Sequence, residues 1–116
     1  MEPEETVDER GYTSMVNMVT EGNLGKLSDA LEQEPDAIHL ACDWHGDRLL
    51  ALACWAQNFD VVKKLIELKA DLNAINESNS TALHRASFKG DLQIVELLLD
   101  SGADYNLRDR VRFFIL

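Results

Sequence analysis

Residues 46–76 return at 79–109 with a constant offset of 33 positions and no gap. Laid over one another, the copies agree at Leu50/Leu83, Ala53/Ala86, Val62/Val95, Leu65/Leu98, Ala70/Ala103, Asp71/Asp104 and Asn73/Asn106. Near-matches fall at Trp55/Phe88, Phe59/Leu92, Val61/Ile94 and Ile66/Leu99. A constant period means that each copy makes the same local structure. The recurring apolar positions bury the surface between stacked copies, and the remaining positions face water.

The second copy yields its helices directly. Thr81 is an N-cap candidate, and Leu83, Ala86 and Ser87 fall at helical spacing on one face. Gly90 stops that helix with a residue that tolerates positive φ. Leu92, Val95, Leu98 and Leu99 repeat the i, i+3, i+4 pattern of a second helix, and Gly102 closes it. Asp104 and Asn106 are turn formers whose side chains can bond nearby backbone. The unit reads as helix, turn, helix, hairpin.

Thr81-Ala82-Leu83-His84-Arg85-Ala86, followed by Gly90-Asp91-Leu92 and by the stretch from Ile94 to Asp104, resembles the ankyrin repeat, with Ala82 in place of the family's proline. The resemblance implies an all-α ankyrin-repeat solenoid of about three helix-turn-helix units joined by β-hairpin-type turns. The copy before it is looser: Arg48, Leu49 and Ala51 stand where the family has Thr, Pro and His, and Gln57 and Lys69 stand where it has glycines. Counting outward, residues 13–24 align with a degenerate first unit, stepped by 35 rather than 33, with its second helix expected over 26–31 and ended by Pro35. The expected organisation is a disordered acidic arm at 1–10, a capping first unit at 11–42, a second unit at 43–75, a third at 76–108 and a truncated, uncapped tail at 109–116. Residues 46–109 look most like the ankyrin tail of acyl-CoA-binding domain-containing proteins, with gankyrin-like and myotrophin-like stacks also similar. Residues 1–45 lack the length and the Tyr- and Lys-bearing pattern of an acyl-CoA-binding domain, so that ligand does not transfer.

Charge is uneven. Of the net −10, residues 1–47 hold twelve acids and two bases, while residues 48–116 hold nine of each. An acidic surface disfavours nucleic acid and anionic membranes and favours a basic partner, although the same bias also serves solubility. No stretch reaches the roughly 18 apolar residues of a membrane span. The acidic N-terminus lacks the basic start and apolar run of a secretory signal, and the two cysteines are too few for a disulfide framework. A cytoplasmic or nuclear monomer is expected.

Residue chemistry argues against an enzyme. His39, Cys42, His45 and Cys54 supply four zinc-compatible ligands, but Cys54 occupies a small-residue core position matching Ser87, and a buried thiol is the plain reading. Cys42 lies beside Asp43, whose charge raises a thiol pKa and disfavours a Cys-His nucleophile. There is no phosphate loop, His-Glu-x-x-His or Gly-x-Ser-x-Gly. No catalytic residue, metal or cofactor is expected. The family resemblance makes His84 a structural histidine, hydrogen-bonded alongside Thr81.

What remains is surface. In ankyrin proteins partners bind the concave face of hairpin tips and first helices. The matching positions are Trp44, His45, Asp47, Trp55 and Ala56 in the second unit and Glu77, Ser78, Ser80, Phe88 and Lys89 in the third, with Ile75 and Arg108 just before the hairpin tips. Trp55 and Phe88 are a repeat pair, so stacking sets two aromatics side by side, either as a binding surface or as packing between units. The resemblance also suggests hydroxylation of Asn73 and Asn106 by an asparaginyl hydroxylase, against the simpler role of turn-capping amides. The expected function is a non-catalytic protein-protein interaction module. The alternative is the truncated ankyrin part of a larger protein whose ligand-binding or catalytic domain lies outside this chain.

Overall fold

A computed structural model describes residues 12–41 and 45–107, with side chains from Met15 onward. Among these residues the elements are α1 (Tyr12–Glu21), α2 (Leu24–Gln33), a 3-10 helix (Pro35–His39), α3 (Leu49–Trp55), α4 (Phe59–Glu67), α5 (Ala82–Lys89) and α6 (Leu92–Asp100), with no strand. The expected arm at 1–10, the tail at 109–116, and Cys42, Trp44 and Arg108 lie outside the described residues.

The helices pair because the chain reverses at equivalent places. Gly22, Gln57 and Gly90 all take positive φ, at 78°, 62° and 73°, between the two helices of each pair. The pairs then stack in two rows. α3 packs between α1 and α5, and α4 packs between α2 and α6. Fully buried Ala53 and Ala86 sit in the inner row, where a small side chain lets helices approach closely. Leu27, Val62, Leu65, Ile94 and Leu98 fill the space between rows, and the buried residues form one continuous core.

Each helix start has its own solution. Asn23 caps α2 by accepting from Lys26 N at 3.2 Å, which starts the helix at Leu24, two residues before the expected 26, and it runs on to Gln33. Pro35 then opens the 3-10 helix at a position where its missing N–H costs nothing. That short helix buries Ala37 and Ile38, so the longer first step is used to cover the core. Asn58, the equivalent of Asn23 before α4, makes no cap bond to its own helix. Its amide reaches back 39 residues to donate to Val19 O at 2.6 Å and also to Thr20 O at 3.1 Å. It therefore ties the start of α4 to the carbonyl end of α1, where Val19 O also accepts from Gly22 N at 3.2 Å.

Equivalent positions differ in exposure between the second and third units. Val62 is buried while Val95 is partly exposed, and Phe59 is partly buried while its partner Leu92 is 75% exposed. The second unit has a neighbour on both sides. Among the described residues the third has one.

Candidate functional site

The loops on the inner-row side are built around two polar groups that sequence alone places in solvent. Asn76 Oδ1 accepts from Ser78 N at 2.8 Å and Ser80 N at 3.0 Å, while Asn76 N donates to Ser80 O at 3.0 Å, closing a tight turn. Its Nδ2 donates to Asp47 Oδ1 at 2.9 Å. The other Asp47 oxygen pairs with Arg85 Nη2 at 2.5 Å. Asp47 is 2% exposed, which corrects its expected place among partner-contacting residues: its carboxylate joins the second unit to the third. A charge so desolvated is stable only with such partners.

The neighbouring loops also bind each other through backbone. Glu77 N donates to His45 O at 2.9 Å, and beside it Gly46, at φ 80°, lies so close that a Cβ would meet Glu77 N at 3.4 Å and Glu77 Cγ at 3.3 Å. Arg48 donates to three carbonyls, from Nη1 to Ile75 O at 2.9 Å and Gly46 O at 3.0 Å, and from Nε to His39 O at 3.3 Å. His45, Ile75, Glu77 and Ser78 are exposed around this framework, and Ser80 is half-buried with its N–H held by Asn76.

Beyond the loops, the ends of α3 and α5 carry an aromatic pair. Trp55 and Phe88 stack with centroids 5.5 Å apart and planes 16° from parallel. Trp55 is 39% and Phe88 69% exposed. Two cations from α5, one helical turn apart, sit against the Trp55 ring: Lys89 Nζ at 4.5 Å and the Arg85 guanidinium carbon at 5.1 Å from its centroid. Such contacts contribute about 0.5–1 kcal/mol each at exposed sites. Arg85 Nε is buried without a hydrogen-bond acceptor, leaving this guanidinium held by Asp47 and the Trp55 ring. Sequence reasoning missed Arg85, although it stands three residues before Phe88 on the same helix face.

His84 is buried and forms a capping box with Thr81: Thr81 N donates to His84 Nδ1 at 3.1 Å, and His84 N donates to Thr81 Oγ1 at 3.2 Å. Nδ1 acts as acceptor there, which puts the ring proton on Nε2. Cys54 is fully buried, and that burial, with Asp91's charge adding to it, pushes its thiol far above the usual range. A protonated, enclosed thiol is neither a nucleophile nor a metal ligand, and His39 and His45 are exposed. Among the described residues no cluster of His, Cys, Asp and Glu could hold a metal. Asn73 Oδ1 accepts from Asp104 N at 2.8 Å across the stack, while Asn106 is exposed and its N–H is held by Asp104 Oδ1 at 2.9 Å.

A sequence profile of ankyrin repeats, in three copies, matches residues 9–109. The chain belongs to the ankyrin-repeat family. Similar ankyrin relatives include the ankyrin repeat and SAM domain-containing protein 6 of Rattus norvegicus, 29% identical over 89% of this chain and 12% of that protein. Serine/threonine-protein kinase TNNI3K of Mus musculus is 28% identical over 70% of this chain and 14% of its own length. Protein PhlB of Serratia liquefaciens is 41% identical over 57% of this chain and 30% of its own. The matched regions are thus less than a third of each of these relatives, and the kinase named among them is matched over a small share of its length. The ankyrin fold is non-catalytic, and ankyrin repeats mediate protein-protein interaction. No helix among the described residues is long and apolar enough to cross a membrane.

Proposed function

We propose that this chain is a non-catalytic module that binds a protein partner through the face formed by the ends of α3 and α5 and the adjoining loops. One observation carries the reading: Trp55 and Phe88 stack on each other yet leave so much of both rings open to solvent. Rings that served only to pack one unit on the next would be covered by that contact. Exposed aromatics beside arginine are the residue types that dominate binding energy at interfaces. His45, Ile75, Glu77, Ser78 and Lys89, all exposed, and half-buried Ser80 belong to the proposed surface as well. Trp44 and Arg108 belong to the same proposal on sequence grounds. The acid excess of residues 1–47 favours a basic partner at long range, while the aromatic face sets the short-range contact. A monomer in the cytoplasm or nucleus fits the composition.

Affinity capture with the intact chain tests the reading. Phe88→Ala and Trp44→Ala should each abolish retention of the captured protein while leaving the helical circular dichroism intact. Retention at wild-type level by both variants would sink it, and so would loss of folding in both, which would make the rings core. A second reading has support in the relatives' greater lengths: the chain is the ankyrin part of a larger protein that carries its ligand-binding or catalytic function elsewhere. Transcript sequence flanking the codons for Met1 and Leu116 tests that. Hydroxylation of Asn73 or Asn106, which the family resemblance suggests, would appear in a mass spectrum as one added oxygen.

A further inference from the structure

We infer that the aromatic face takes an acidic protein segment: an apolar side chain lies against the open face of Phe88, and a neighbouring carboxylate pairs with Lys89. This rests on the binding reading above and concerns the segment that meets the rings, whatever charge the rest of the partner carries at long range. The whole-chain charge of −10 does not describe the field at this face, because the residues that build it come from the charge-balanced part of the sequence. Asp47 is buried and paired with Arg85, so its charge is not presented outward. Lys89 is exposed and meets the Trp55 ring, with no carboxylate at ion-pair distance among the described residues. Among the described residues Arg48 likewise donates to neutral carbonyls. Among the described residues the stack therefore ends in a cation held in place by a ring and not neutralised.

The two halves of the contact reinforce each other. An apolar side chain over Phe88, which is 69% exposed, excludes water beside Lys89. Excluding water lowers the local dielectric and strengthens the attraction between Lys89 and an incoming carboxylate. A basic segment would instead bring like charge against Lys89 at short range, which is a discriminating penalty.

Three synthetic peptides test this, identical in their Leu and Phe positions and carrying Glu, Lys or Ser at all others. Each is titrated into the isotope-labelled chain at low salt, to about 1 mM. The Glu peptide should shift the backbone resonances of Phe88 and Lys89, bind roughly tenfold more tightly than the Lys peptide, and weaken as salt is added. Lys89→Glu, with unchanged circular dichroism, should reverse the order of the two peptides. Equal or tighter binding of the Lys peptide at Phe88 would overturn the acidic occupant and leave the aromatic-face reading standing. Shifts confined to residues away from Trp55 and Phe88 would overturn both. Lack of binding by the Glu peptide, or binding that Lys89→Glu does not weaken, also overturns the inference.

Discussion

The second and third units run the same 33-residue programme with different local chemistry. The third has its signals in place: the Thr81–His84 capping box, glycine at 90 with φ 73° and glycine at 102 with φ 106°. The second has Arg48 with no side-chain cap bond, and holds Gln57 at φ 62° and Lys69 at φ 72°, a left-handed backbone that disfavours any residue with a Cβ. Both nevertheless fold to the same helix pair. The difference is packing: the second unit lies between two others, and Leu49, Leu50, Ala53, Cys54, Val61, Val62 and Leu65 are all buried. Burial on both sides offsets weak local signals. A unit covered on one side relies more on its caps and glycines.

Five substitutions break or sharpen that contrast. The largest effect belongs to the link between the units: Asp47→Ala leaves Arg85 and Asn76 without their shared acceptor and should cost about 3 kcal/mol in chemical denaturation, discounted from a fully buried pair because Arg85 is partly exposed. Next comes alkaline pH, which should strike the second unit through Cys54. In the unfolded chain this thiol ionises near its ordinary value of 9.0, but in the folded chain it stays protonated. The folded state then binds more protons above pH 9, so stability should fall by up to ~1.4 kcal/mol per pH unit. Cys54→Ala should flatten that slope; an unchanged slope would show that another group is responsible.

Thr81→Ala should remove about 1 kcal/mol, read as a lowered melting temperature, because it deletes the N-cap oxygen of α5. The smallest changes have the opposite sign. Gln57→Gly and Lys69→Gly should each stabilise by roughly 1 kcal/mol or less by relieving the left-handed backbone. A loss at either position would mean that its side chain contributes more than its backbone conformation costs.

The period, the helix pairs and the adjacency of Trp55 and Phe88 were legible because they repeat, and a repeated position inherits its meaning from its twin. Asp47 was not legible. An aspartate in a loop reads as surface, and its burial depends on Asn76 and Arg85, which are 29 and 38 residues away. Asn58 was no more legible, since its partners at Val19 and Thr20 belong to another unit. Lys89 was grouped with Phe88, but its contact with Trp55 depends on how far one unit steps from the next. Local pattern carries no record of bonds between units.

The stacked rings are held at their spacing by bonds elsewhere: Asp47 to Arg85 and Asn76, Glu77 to His45, and Asn73 to Asp104 all join the second and third units. The 5.5 Å between Trp55 and Phe88 is therefore an internal ruler for that junction. Any event that flexes the solenoid there, at the loops or along the helices, must change the overlap of the two rings. Trp55 emission would register the bend without a label, so the chain carries its own strain gauge.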